Sequence, residues 1–298
     1  MKIAITTFLL PHELDAYERI LFSFLNASQY VDGNNYELLT VINLSDYFID
    51  WEKSGISKEY FVKRFEFLKQ LTDWTPNVKF EVRDDIMGCT DLRRKALELC
   101  PDATHFLWLD SDIAFDNLSL SVLENSIRTI EEKNITHYVL TPEIIKMWDY
   151  TWDCIVNEQY INDPSDSIGF YNAFKECGIK GEISLESLDT FKFAGGWFTC
   201  LSRPLLERIP LPESLGPYFM DDTYIMEAMK IYTSRHINSI YQFKIKNFVI
   251  CPNHKYYDRT YYELLMTKKD RRQSSKEIAQ KNFILELKQF YEKVYAIN

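Results

Sequence analysis

Apolar and polar positions along residues 1–140 alternate between two periods. Lys2–Leu9 is a β-branched apolar run closed by Pro11, and Glu13–Leu25 then sets Leu14, Tyr17, Ile20, Leu21 and Phe24 at helical spacing. Tyr36–Leu44 predicts a second strand and Ser57–Leu71 an aromatic amphipathic helix. Val78–Val82 predicts a third strand, followed by a helix from Thr90 to Leu99 that Pro101 ends. Thr104–Leu109 is a fourth apolar run, Leu118–Glu132 a helix and His137–Leu140 a fifth strand. Strands alternating with helices predict βαβ units and a mostly parallel sheet.

Beyond residue 140 the rhythm breaks. Residues 145–190 are mixed, with a Trp/Tyr-rich segment around Trp148–Trp152 and a polar loop at Asn162–Ser167. Phe191–Leu201 reads as a strand containing the pair Gly195-Gly196, a short helix lies near Leu205, and a helix runs from Asp221 to Tyr232. Ile237–Ile250 predicts one or two further strands. In the tail, Phe283, Leu287, Phe290, Tyr291 and Val294 share one face of a helix over Ser274–Tyr295, whose default role is to pack on the domain. A basic run ahead of it, from Lys268 to Lys288, leaves open a contact with an anionic membrane surface.

Composition changes this picture little. With 46% hydrophobic and 26% charged residues over 298 positions, the chain is globular, and its 19 Tyr, 20 Phe and 6 Trp suffice for a core and an aromatic cleft. A net charge of −10 disfavours nucleic acid as a partner, because phosphate contacts need clustered Lys and Arg. No apolar run has the length of a membrane-spanning helix, and the N-terminus reads as a strand rather than a leader. The six cysteines are scattered without a CxxC pair, which predicts reduced thiols and a cytoplasmic protein.

Candidate chemistry centres on Phe106-Leu107-Trp108-Leu109-Asp110-Ser111-Asp112-Ile113-Ala114-Phe115. Here an apolar strand ends in two carboxylates spaced i, i+2. At the carboxyl end of a parallel strand such groups stand at the binding crevice of the sheet. Two like charges placed there need a compensating cation, and hard oxygen ligands suit Mg²⁺ or Mn²⁺ bridging a diphosphate.

The segment LWLDSDIAF resembles the DxD segment of the GT-A-fold, metal-dependent nucleotide-sugar glycosyltransferases, and further short motifs follow in the family's order over residues 1–255. The resemblance implies a GT-A (Rossmann-like) α/β fold, with a mostly parallel sheet flanked by helices and a C-terminal helical extension. Residues 1–140 would form the nucleotide-sugar-binding half, 141–255 the acceptor-binding half and 256–298 a helical tail. It implies transfer of a sugar, from a UDP-sugar by family precedent, to a hydroxyl acceptor that is a glycan, a lipid-linked sugar or another alcohol.

Residue by residue, the resemblance places Asp110 and Asp112 on Mn²⁺ or Mg²⁺, with His254, just past the last strand, as a third ligand. Thr6, Thr7 and Phe8 after strand 1, Asp46 after strand 2 and Ser111 match donor-binding positions. Arg94 or Arg93, early in the helix that precedes the DxD, would approach the nucleotide, helped by the free N–H groups of a helix N-terminus. Gly195, Gly196 and Trp197 match the strand beneath the acceptor. Asp222, with Asp221 beside it, matches the base of inverting members, which takes the proton of the attacking hydroxyl. Retaining members, which use no base at this place, share the LDSDI pattern, so the residues favour inversion without fixing it. Two other classes stay open: a non-catalytic sugar- or nucleotide-binding protein of the same fold, and a haloacid dehalogenase-type phosphatase. The phosphatase pattern is a poor match, since it wants Thr or Val where Ala114 stands and an Asp after the first strand rather than the fourth.

Overall fold

The structure, a computed structural model, describes residues 1–111, 113–144, 178–188, 195–252 and 266–296. Its strands are β1 (Ile3–Leu9), β2 (Tyr36–Asn43), β3 (Val78–Arg83), β4 (His105–Leu109), β5 (Ile113–Ala114), β6 (Tyr138–Ile144), β7 (Gly178–Ser187), β8 (Phe198–Ser202) and β9 (Tyr241–Pro252). Helices are α1 (Leu14–Ala27), α2 (Trp51–Ser54), α3 (Lys58–Thr72), α4 (Cys89–Leu99), α5 (Ser119–Glu131), α6 (Arg203–Arg208), α7 (Asp221–Arg235) and α8 (Lys269–Ala296).

The strands form one mixed sheet in the order β3-β2-β1-β4-β8-β6-β9-β5, with β7 also paired to β9. Strands β1, β2, β3, β4, β6 and β9 run in one direction, and β5, β7 and β8 in the other. The first four strands are the parallel βαβ half that the periodicity predicts. β1 and β2 are buried at every position, as strands covered by helices on both faces must be. α1 buries Leu14, Tyr17, Ile20, Leu21 and Phe24, the face read from its spacing.

The second half departs from the expectations in detail. The strand predicted from Phe191 starts at Phe198, so Gly195 and Gly196 lie in the turn entering β8, not inside a strand. Residues 191–194 lie outside the described set. β8 inserts antiparallel between β4 and β6, an insertion that no local pattern announces. Ile237–Ile250 resolves into the single strand β9, whose register with β6 slips between Pro142 and Glu143, where Asn247 on β9 takes a left-handed φ of 60°. The tail helix begins at Lys269 and packs on α7 and the core through Phe290 and Val294, with Phe283 and Leu287 partly buried beside them, whereas Tyr291, predicted on the same face, is exposed and stacks on Tyr295. Asn282 Nδ2 donates to the Ser214 carbonyl (2.5 Å), and the hydroxyls of Tyr295 and Ser234 are 2.8 Å apart. No described helix is long and apolar enough to cross a membrane. Cys89, Cys100 and Cys200 are free thiols.

Candidate functional site

β4 is buried along its whole length and delivers Asp110 to the carboxyl edge of the sheet, beside the turn that enters β8. Asp110 N–H donates to the Trp197 carbonyl (3.2 Å), which fixes the backbone there, while the Asp110 side chain remains 37% exposed. Ser111 Oγ donates to Glu13 Oε1 (2.9 Å), and the other oxygen of Glu13 accepts the Leu10 N–H (2.8 Å). The end of β4 is thereby tied to the start of α1. Glu13 carries no sequence signal beyond that of an acid in a first helical turn.

α4 packs on β1 and brings Arg93 to the end of β4, between two carboxylates. Arg93 Nη1 donates to Asp221 Oδ2 (2.6 Å), and Nη2 to Asp110 Oδ1 (2.9 Å) and to the Gly196 carbonyl (3.1 Å). The guanidinium carbon sits 4.9 Å from the Trp108 ring centroid, in cation–π contact. The two carboxylates raise the already high pKa of Arg93 against the effect of its burial, so it is a permanent buried cation.

The glycine pair is explained by this side chain and by Trp197. A Cβ on Gly196 would stand 2.2 Å from Arg93 Nη2, and one on Gly195 would stand 2.6 Å from the Trp197 ring. Paired glycines mark a close approach. At Gly196 the approaching group is the Arg93 guanidinium.

Asp221 and Asp222 open α7. The chain reaches them through Phe219 (φ 75°) and Met220 (φ 66°), both in the left-handed region that side-chain-bearing residues seldom occupy. α4 grips this turn. Thr90 N–H donates to the Pro217 carbonyl (3.0 Å), and Gly88 leaves room for that carbonyl, which a Cβ would meet at 2.1 Å. The α4 N-terminus therefore spends one of its N–H groups on the chain itself. Arg94 is bound to Asp91 (2.6 Å) and to the Gly216 carbonyl (3.2 Å). Asp222 is half-buried, its Oδ1 accepting the Thr223 N–H at 2.6 Å. Burial first, and the Asp221 charge second, push its carboxyl up to about 7.

Thr6, Thr7 and Phe8 lie within β1 and not after it, because the strand runs on to Leu9; Thr6 and Thr7 are buried and their hydroxyls have no hydrogen-bond partner among the described residues. Phe8 meets Tyr218 edge-on (5.5 Å), and Tyr218 meets Phe48 in the same way (5.0 Å). Asp46 is exposed. Its carboxylate lies 3.9 Å from Lys58 Nζ, and its carbonyl accepts from Lys268 Nζ (2.7 Å). The loop after β2 is bound by the chain ahead of α8, since Asp50 N–H donates to the Met266 carbonyl (2.7 Å) and Lys268 N–H to the Phe48 carbonyl (2.8 Å). No local pattern pointed to that strap.

Asp112 and His254 lie outside the described residues. Among the described residues no group of three metal-ligating side chains occurs. Of the expected metal ligands the described residues include Asp110, a half-exposed carboxylate whose hard oxygen suits Mg²⁺ or Mn²⁺ and whose Oδ1 accepts from Arg93.

No protein-family model matches the sequence, and no curated protein matches it. Solved structures do. S. aureus TarS 1–349 aligns at TM-score 0.50 and 13% identity over 82% of this chain and 60% of that one. Its complex with UDP aligns at TM-score 0.51 and 14% identity over 95% and 72%. GalNAc-T7 with UDP, GalNAc and Mn²⁺ aligns at TM-score 0.53 and 11% identity over 86% and 44%. The chain thus spans 60% of TarS 1–349 and less than half of the GalNAc-T7 chain. At these identities the likeness is one of fold, and it establishes a GT-A-type mixed α/β architecture with a C-terminal helix.

Proposed function

We propose that the chain transfers a sugar from a nucleotide-sugar donor to a hydroxyl acceptor with inversion, Asp222 serving as the base. The observation that carries this reading is the joining of Asp110, at the carboxyl end of β4, to the α7 N-terminus bearing Asp221 and Asp222, through one buried guanidinium. Solved structures of the same fold in complex with UDP, one of them also with GalNAc and Mn²⁺, support it.

In this reading Thr6, Thr7 and Phe8 back the side of the site that takes the base and ribose, and the exposed loop around Asp46 reaches the ligand. Ser111 lies beside the diphosphate. Asp110 would hold Mn²⁺ or Mg²⁺ together with Asp112 and His254, and the bound cation would neutralise charge on the leaving diphosphate. The acceptor lies over Gly195–Trp197. Asp222 removes the proton of the acceptor hydroxyl as that oxygen bonds to the anomeric carbon. The bond from that carbon to the diphosphate oxygen breaks, and the nucleoside diphosphate leaves with the electron pair. A carboxyl held near 7 is suited to this step, since the Brønsted optimum lies near working pH.

The test starts with thermal stability against a panel of nucleotide sugars with Mn²⁺, Mg²⁺ or EDTA. A ligand at a hundredfold its Kd adds about 2.7 kcal/mol. A metal-dependent rise with one donor is expected, followed by transfer that Asp222→Asn lowers by about 10²–10⁴-fold. No shift with any donor sinks the reading. Full transfer by Asp222→Asn with retained anomeric configuration replaces inversion by retention.

A further inference from the structure

The geometry points to Arg93 as a positioning residue: it clamps the turn that carries the base against the carboxylate on the donor side, and does not itself contact the donor. This rests on the reading of Asp222 as base and says what holds that base in place. Three acceptors from three separate segments converge on the guanidinium: Asp221 Oδ2 from the α7 start (2.6 Å), Asp110 Oδ1 from the β4 end (2.9 Å) and the Gly196 carbonyl from the turn into β8 (3.1 Å). The Trp108 ring covers the guanidinium, and the side chain is only 6% exposed, so little of it is left for a phosphate. The position opposite it carries glycine, where a Cβ would lie 2.2 Å from Nη2.

The turn that Arg93 grips does not hold its shape unaided. Phe219 and Met220, in succession, adopt left-handed φ values of 75° and 66°, and such backbone persists only where its surroundings over-determine it. α4 provides that determination three times, through Thr90 on Pro217, Arg94 on Gly216 and Arg93 on Asp221. Asp222 follows Asp221 directly, so a movement of Asp221 carries the base with it. A lysine cannot reproduce the contact, because its point charge lacks the planar fork that reaches two carboxylates and a carbonyl at once.

The experiment uses the full chain and the donor found in the stability screen. Arg93→Lys is measured for kcat and donor KM, and Arg93→Met, Asp221→Asn and their double mutant for unfolding. For a positioning residue, Arg93→Lys lowers kcat by about thirtyfold while donor KM stays within about threefold, the signature of an interaction expressed in the transition state. The unfolding cycle shows Arg93 and Asp221 coupled by about tenfold in the unfolding constant. A rise in donor KM with kcat unchanged makes Arg93 a donor ligand and overturns the proposal. Coupling below about twofold overturns it too, whether or not turnover can be measured. A wild-type chain inert toward every donor removes the transferase reading, while the unfolding cycle still decides whether the clamp exists.

Discussion

β1 and β2 are buried at every position and pair in unbroken parallel register, whereas the β6–β9 pairing slips at Pro142/Glu143 and the α7 start is held by charge. The first region depends on volume and shape, through side chains such as Leu38, Leu107 and Ile5 that exclude water completely. The second depends on one cation whose removal strands a carboxylate that is 7% exposed. A volume defect can be absorbed partly by relaxation of its neighbours, whereas an unpaired buried carboxylate must either take up a proton or stay ionised at a high desolvation cost.

Four substitutions set the two regions against each other. Arg93→Met is expected to cost about 3–5 kcal/mol, because it leaves Asp221 buried without its partner; urea unfolding reads this. A loss under about 1 kcal/mol would mean that the α7 start is held by packing instead. In the parallel half, Leu38→Ala should cost about 2–5 kcal/mol through its cavity while leaving the pH profile of transfer unchanged. Gly196→Ala inserts a methyl where the guanidinium lies and should cost about 1–3 kcal/mol. It should also lower transfer along with stability, whereas a change in stability alone would separate the glycine from the clamp. Asp46→Ala, on an exposed loop, should stay within about 0.5 kcal/mol.

Asp222 makes a smaller, pH-dependent difference. With its folded pKa raised to about 7 from the ordinary value of about 3.9, its ionised form opposes folding. That penalty is absent below the unfolded pKa, grows as pH rises toward 7 and is complete above it. Asp222→Asn should therefore raise Tm at pH 8 and hardly at all at pH 4. An equal gain at both values would show that the Asp222 carboxyl is not shifted by its surroundings.

Much of the first half was legible because its signals are local. Leu14, Tyr17, Ile20, Leu21 and Phe24 reveal α1 through a period that the helix itself imposes, and buried strands such as β2 and β4 reveal themselves as continuous apolar runs. Asp110 was visible because two carboxylates interrupt such a run, and Asp221 and Asp222 because they follow the glycine pair in order. The reason for the pair was not visible. Glycine next to glycine announces a close approach without naming what approaches, and the Arg93 guanidinium at Gly196 comes from 103 residues away. Arg93 and Arg94 were equivalent in sequence. One helical step directs the first to Asp110 and Asp221 and the second to Asp91 and Gly216. Glu13 and the strap between Lys268 and the loop after β2 left no trace in any local pattern.

The sequence by itself therefore determined the βαβ rhythm, the burial of β1, β2 and β4, the exit of Asp110 at a strand end and the inward face of the tail helix apart from Tyr291. Each follows from covalent geometry repeated over a few residues. Only the tertiary structure decided that β8 enters antiparallel beside β4, that Gly195-Gly196 forms a turn, and that Arg93 joins Asp110 to Asp221, the latter 128 residues along the chain from Arg93. Those choices are made by closing long loops around a buried charge. Their energy lies in desolvation and in the convergence of groups from separate segments, and no periodicity of the chain encodes that.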